Sequence, residues 1–373
     1  MDPVQGSRQS TTKMMTAIPT LLLCFLSLNH VSAQATQKQI KDFEVHNRVD
    51  CDTETNCSLF SGIWVHDPSY PLYEALECPY ISKEFDCKAN GRPDSDYQEW
   101  RWQPNGCDTP RFSARGFLEK LKGKKLTFVG DSITQNQFLS LVCLVSKEFP
   151  TTFVPTSSKN DKFISTDYNV SIELYWAPFL VEREVNDEGE RILHVDQIQN
   201  NSTRWKMADV LIFESSKWWP ETLGSQRWDI VMEGKQKYTD MKPLVAYKKA
   251  LTTWSQWVSS NLDPQTLVFF RGSSFGHYDS HKRCDSKEPI EDPSYDPQPT
   301  AHAAILKEVL STTEFPVKLF NISHNSAFRR DGHPSIYTNL NVSGPEHQDC
   351  THWCLPGVPD SWNQLLYATL LST

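Results

Sequence analysis

The placement of cysteine constrains this chain more than any other feature. Ten cysteines occur in 373 residues. Setting Cys24 aside, the other nine, Cys51, Cys57, Cys78, Cys87, Cys107, Cys143, Cys284, Cys350 and Cys354, follow an N-terminal stretch that reads as an export signal. In that stretch Arg8 and Lys13 precede the apolar run Ala17 to Leu28, and Val31-Ser32-Ala33 supplies a small-x-small cleavage pattern. At about twelve residues the run is short against the ~20 of a membrane span, and Pro19 weakens it further. Residues 1–33 are expected to be a signal peptide, with an uncleaved, membrane-attached signal anchor as the alternative. Thiols in an oxidising lumen pair, and an odd count leaves one over.

Glycosylation sequons at Asn169, Asn200, Asn201, Asn321 and Asn341 fit the same compartment. Asn200 and Asn201 overlap, and Asn201 is taken as the acceptor of the two. Asn56 matches formally, but a bridged Cys57 would make it a poor one. A formal net charge of −9 without any block of Lys and Arg argues against a nucleic-acid binder, since neutralising phosphates needs clustered cations. With 38% hydrophobic and 12% aromatic residues, the chain can fill one large α/β core with an appended piece.

Residues 34–56 are polar and aperiodic, as in a short stem. From 57 to 112 cysteines and aromatics dominate, as in "GIWVHDPSYPLY" and "NGRPDSDYQEWRW", and aliphatic residues are too few to make a core. Bridges are expected to tie this segment to something else. Residues 113–373 then alternate strands and helices. Apolar strand patterns occur at Lys124 to Gly130, Ser171 to Ala177, Asp209 to Phe213, Thr266 to Arg271 and Val317 to Phe320. Helical spacing appears in "TQNQFLSLVCLVSKEF", "PLVAYKKALTTWSQWVSS" and "AHAAILKEVLST". Such alternation predicts a mostly parallel sheet covered on both faces. The polar stretch from Gly272 to Thr300 is a lid or a surface insertion.

Parallel sheets carry their sites at the carboxyl ends of the strands. There "FVGDS" places Gly130-Asp131-Ser132 at a strand-to-helix turn. Ser132 can present a hydroxyl while the helix N-terminus offers N–H groups to an oxyanion, although Asp131 or Ser132 could equally be a plain N-cap. A nucleophilic serine needs a base and the base an orienting group; in "DCTHWC", Asp349 and His352 could supply both. A structural histidine between bridged cysteines is the other reading. A zinc site at Cys350, His352 and Cys354 lacks a second cluster at finger-like spacing, and a redox pair would want Cys-x-x-Cys, so no metal is expected. Asp331 and His333 in "RRDGHPSIY" are read as decoys, and His277 in "SSFGHYDSH" as neutral between substrate contact and no role.

These residues together resemble the plant trichome birefringence-like family: "GDS" followed by "NQFLSLVC", "DCTHWCLPGVPDSWNQLLY" near the end, and the aromatic Cys-rich segment near the start. The resemblance runs from about Cys57 to Tyr367. It implies an SGNH-hydrolase-like (GDSL-type) three-layer α/β sandwich, with the Cys-rich segment packed on it. It also implies polysaccharide O-acetyltransferase activity in the Golgi lumen or membrane, or esterase activity in the cell wall. Carried over, it makes Ser132 the nucleophile, His352 the base and Asp349 its orienting partner, and pairs Cys57–Cys107, Cys78–Cys143, Cys87–Cys354 and Cys284–Cys350, leaving Cys51 over. The acceptor would be a cell-wall polysaccharide. No resident cofactor is expected; the acetyl donor, acetyl-CoA or an acetylated intermediate, is a co-substrate. Candidate substrate contacts are Asp131, Asn136 and His277, with Trp100, Trp102, Trp218 and Trp219 either flat platforms for sugar rings or, equally, core and interdomain packing.

Two departures stand out. The family usually has Asn-Thr-Gly-His-Trp-Trp after the strand "DVLIF", where this chain has Glu214-Ser215-Ser216-Lys217-Trp218-Trp219. An ionised Glu214 beside an oxyanion would repel it unless Ser215, Ser216 or Lys217 compensates, which keeps a non-catalytic wall-binding protein in view. Gln135 stands where Arg is common.

Overall fold

A computed structural model describes residues 57–373 apart from 150–151, 158–159, 220–227, 293 and 340–347. The expected signal peptide or anchor, the stem, Cys51 and Asn341 lie outside the described residues. Among the described residues no helix is long and apolar enough to cross a membrane.

In chain order the strands are β1 (Ser58–His66), β2 (Trp100–Asn105), β3 (Lys125–Gly130), β4 (Thr152–Ser157), β5 (Asn160–Ser165), β6 (Val170–Trp176), β7 (Val181–Val185), β8 (Arg191–Ile198), β9 (Val210–Phe213), β10 (Ile230–Glu233), β11 (Gln236–Tyr238), β12 (Leu267–Arg271) and β13 (Val317–Phe320). The longer helices are α1 (Ala114–Lys120), α2 (Ser132–Ser146), α3 (Pro243–Asn261), α4 (Ala301–Thr312) and α5 (Val358–Leu371). The central sheet runs β13-β12-β9-β3-β6-β5-β4. Its first five strands are parallel; β5 and β4 add on antiparallel.

Alternation along the buried strands sends side chains to two cores. Leu126 and Phe128 of β3, Ile212 of β9 and Phe269 of β12 join α1, α2 and α5 on one face. Val129, Leu211, Phe213, Val268 and Phe270 meet α3 and α4 on the other. The result is a helix–sheet–helix sandwich of the SGNH type, as expected. The strand patterns were legible because both faces are covered and the strands read as continuous apolar runs. A second sheet, β11-β10-β8-β7, flanks α3. Its charged strands, such as "VEREV", hide it from a hydrophobicity reading.

The Cys-rich segment has no core of its own. Tyr73, Phe85, Trp102 and Phe112 are buried in the same cluster as α2 and α5. Its β1–β2 hairpin pairs Trp64 opposite Trp102, and Trp64 Nε1 donates to the Asn325 carbonyl (2.8 Å). Of the four disulfides, Cys57–Cys107 lies within the segment, Cys78–Cys143 ties it to α2, Cys87–Cys354 ties it to the C-terminal loop, and Cys284–Cys350 ties that loop to the polar 272–300 stretch. Closing loops of 50 to 267 residues, each taken alone removes unfolded-state entropy equivalent to roughly 4–6 kcal/mol on a chain-entropy account. Of the sequons, Asn169, Asn200 and Asn321 are exposed, whereas Asn201 is half-buried with its Oδ1 enclosed.

Candidate active site

Because β3, β9 and β12 are parallel and in register, their carboxyl ends share one edge. Asp131-Ser132, Glu214 and Gly272 follow those ends, and α2 begins at Ser132. Gly130 is required where these chains converge, since a Cβ there would come within 2.8 Å of the Glu214 carbonyl oxygen. Asp131 caps α2, its Oδ1 accepting from the Ile133 N–H (2.9 Å).

At this edge Ser132 Oγ donates to His352 Nε2 (2.7 Å), across 220 positions of sequence. His352 Nδ1 donates in turn to Asp349 Oδ2 (2.7 Å). Burial alone would raise the Asp349 carboxyl. The charge and hydrogen bond of His352, with the N–H groups of His352 and Thr351, outweigh it and hold the group well below the usual carboxylate range. An ionised Asp349 fixes the imidazole hydrogen on Nδ1, so Nε2 faces the serine as an acceptor. Both flanking sulfurs, Cys350 and Cys354, are bridged and closed to metal.

The loop carrying His352 is held from several sides. Asn136 Oδ1 accepts from the Trp353 N–H (2.8 Å) and its Nδ2 donates to the Trp353 carbonyl (3.1 Å). Asp349 and Ser335 exchange backbone bonds of 3.0 Å. His333 Nδ1 donates to the His352 carbonyl (2.7 Å), and its ring stacks on Trp353 with centroids 4.1 Å apart. His333 Nε2 lies 2.7 Å from His277 Nδ1, while His277 Nε2 donates to the Ala327 carbonyl (2.8 Å). Both outer nitrogens face carbonyls, and the inner contact joins the two remaining ring nitrogens. Burial lowers both pKa values, and His277 lowers that of His333 further, which excludes two imidazolium rings side by side. From the Cys-rich segment, Arg92 donates to the carbonyls of Asp331 (2.8 Å) and His333 (3.1 Å), and Phe85 packs on the His352 ring with centroids 5.3 Å apart.

Several expectations are corrected. Asn136 and Asp131 are fully buried and bound within the protein, so neither faces a substrate. Trp102 and Trp219 are core residues and cannot stack on sugar. Trp100 and Trp218 remain half-buried at the surface, Trp100 against His66 and Trp218 against Trp176 and Phe179. His277 has both ring nitrogens engaged inside the protein and has no ring nitrogen left for substrate. His333, read as a decoy, directly supports the His352 loop; its separation of two from Asp331 was irrelevant, because Asp331 pairs with Arg329 (2.7 Å).

Glu214 also differs from expectation. It is buried against Arg271 (3.4 Å), accepts from the Ser216 hydroxyl, and meets the Asp131 carboxyl. Burial, and then the charge of Glu214, push the Asp131 carboxyl well above its usual range. A proton on Asp131 Oδ2, otherwise without a partner, donates to Glu214 and relieves the repulsion. Arg271 is held by the Ile133 carbonyl (3.1 Å) and Gln137 Oε1 (3.0 Å).

Residues 109–369 match the GDSL/SGNH-like Acyl-Esterase family found in Pmr5 and Cas1p, and residues 55–108 match the PMR5 N terminal Domain. The chain belongs to the trichome birefringence-like family. Among its Arabidopsis thaliana relatives, Protein trichome birefringence-like 36 is 42% identical, covering 86% of this chain and 87% of its own length. Protein trichome birefringence-like 40 is 40% identical, covering 94% and 96%. Protein trichome birefringence is 38% identical, covering 90% of this chain and 60% of its own length. Membership gives this chain an acyl-esterase-type domain.

Proposed function

We propose that the protein is an O-acetyltransferase that passes an acetyl group through Ser132 to a hydroxyl of a plant cell-wall polysaccharide such as xylan, mannan or pectin. The observation that carries this reading is the unbroken relay from Ser132 through His352 to Asp349, with both bonds at 2.7 Å, in a chain of the acyl-esterase class.

In the first half-reaction Ser132 Oγ attacks the acetyl carbonyl as His352 Nε2 takes its proton. The oxyanion meets the Ser132 N–H, which opens α2 and has no helical acceptor. Collapse breaks the bond to the donor's leaving atom, which receives the proton from His352, and leaves acetyl-Ser132. In the second half-reaction a sugar hydroxyl attacks that ester, His352 takes its proton, and the proton returns to Ser132 Oγ. Asp349 stays ionised throughout and stabilises the imidazolium. The donor, acetyl-CoA or an acetylated intermediate, is a co-substrate; Golgi residence fits this direction.

Water in place of the sugar makes the same relay a cell-wall acetylesterase, and the acyl-esterase wording of the family description favours keeping that second reading. The case for a wall-binding protein without turnover weakens, because Glu214 is engaged by Arg271 and Ser216.

A fluorophosphonate should label folded wild-type protein and not Ser132→Ala. With an acetyl donor and deacetylated glycan oligomers, acetyl transfer should fall to background in Ser132→Ala and in His352→Ala. Equal transfer by all three proteins would remove the relay from the mechanism. The ratio of acetylated oligomer to free acetate separates transferase from esterase.

A further inference from the structure

Beside the relay lies a cavity of about 490 Å³ that the chemistry above does not use. The segment after β9, the strap 273–276 and the start of α4 wall it in. It borders the relay closely: Ser216, on its wall, bonds Glu214, which meets Asp131 next to Ser132. On the opposite wall Gly276 precedes His277, whose N–H donates to the Cys350 carbonyl (3.2 Å).

The wall holds donors and no acid. Lys217 faces the cavity and makes no hydrogen bond or ion pair among the described residues. The Ser274 hydroxyl and His302 Nε2 are enclosed without partners among the described residues, and Ser274 is only 3% exposed. The twelve-residue helix α4 points its N-terminus at the same space; its cap Thr300 accepts from the Ala303 N–H, and the N–H groups of Ala301 and His302 are left over. Among the described residues no Asp or Glu lines the cavity. The acids that act on Lys217, namely Glu214, Asp131 and Asp349, lie off this wall, and Glu214 is paired with Arg271. Burial lowers the Lys217 pKa more than those acids raise it. Enclosed polar groups are ordinarily paired, and an ammonium, a helix N-terminus and two unpartnered side-chain groups converging on one space lack an anion.

We propose that this cavity is an anion-binding subsite, taking a carboxylate or phosphate on the ligand whose acyl ester reaches Ser132. Two sources share that chemistry: a uronate residue of the glycan, or the phosphates of a coenzyme A donor. Only the placement of the ester rests on the acyl-transfer reading above; the anion site itself does not.

The test is calorimetric titration of endoglycosidase-trimmed Ser132→Ala protein, trimmed because the Asn321 sequon stands on the rim. The ligands are trigalacturonate against its methyl ester, and coenzyme A against pantetheine. One anionic ligand should bind roughly ten- to a hundredfold tighter than its neutral counterpart, as expected for charge-assisted hydrogen bonds. Lys217→Met should abolish that preference and Lys217→Arg keep it. A preference for the uronate identifies the glycan, and one for coenzyme A the donor. Equal binding of anion and neutral partner in both pairs, no binding by either anion, or a preference that survives Lys217→Met overturns the proposal. Since nothing turns over in Ser132→Ala, a failure of the relay leaves this readout intact.

Discussion

On one side of Ser132 the loop 349–354 has a protein partner for the main polar groups that position His352: Asp349 for its ring, His333 for its carbonyl, Asn136 for both backbone groups of Trp353, and a disulfide at each end. On the other side, the segment 214–219 buries Glu214 against Asp131 and Arg271 and leaves Lys217 facing a cavity with no hydrogen-bond or ion partner among the described residues. The two loops border one hydroxyl yet are built for different ends. Full satisfaction fixes one geometry, which proton transfer needs. Unsatisfied donors await a ligand, so that side is where members of one family can differ in what they accept. The longer departure from the family pattern, Glu214 to Lys217, falls in this second segment, while Gln135 lies in α2.

The sharpest way to break the comparison is Asp349→Asn. If the first loop exists to set the tautomer of His352, this change should lower kcat on the order of 10³–10⁴-fold with little change in KM. Steady-state kinetics on an acetyl ester decides it, and a loss below tenfold would mean the loop holds something other than a catalytic base. Asn136→Ala should have a smaller effect. It strips two buried backbone groups of Trp353, at roughly 1–3 kcal/mol each, and loosens His352, so kcat should drop about 10²-fold while stability in urea falls. Unchanged turnover in a destabilised variant would show that rigidity of the loop does not matter to the chemistry.

The smallest effect on turnover concerns the anchor of the same loop. The Asp360 carboxyl accepts from the Gly357 N–H (2.8 Å) and from the hydroxyls of Ser140 and Tyr73 (3.1 Å). Burial outweighs these bonds and pushes its pKa up to about 7. With the folded value above the ordinary 3.8, the folded state binds the extra proton in between. Its stabilising contribution is complete below about pH 4 and is lost as pH rises to about 7. Wild type should thus lose a few degrees of melting temperature relative to Asp360→Asn over that window; parallel curves would place the carboxyl in contact with water.

Much of the scaffold was legible because its signals are local. β3, β9 and β12 are apolar runs bounded by turns, and α2, α3 and α4 carry helical spacing. The antiparallel β5 and the strands β7 and β8 of the second sheet were missed because charged residues interrupt their apolar positions. Substrate platforms were overread: Trp102 and Trp219 look alike on paper with Trp100 and Trp218, and burial alone separates them. The support that His333 and Arg92 give the His352 loop carried no sequence signal, since it runs through backbone carbonyls, which every residue possesses.

By itself the sequence determined which groups were on offer: a serine at the carboxyl end of a parallel strand, an Asp and a His three apart between cysteines, and a chain dressed for export. Only the tertiary structure decided that the serine and the histidine meet, that Glu214 turns to Arg271 and Asp131, and that Lys217 has no ion partner among the described residues. Periodicity along a chain reports which face of an element is buried; it does not report which distant segment will cover that face, and that choice brings these charges together or keeps them apart.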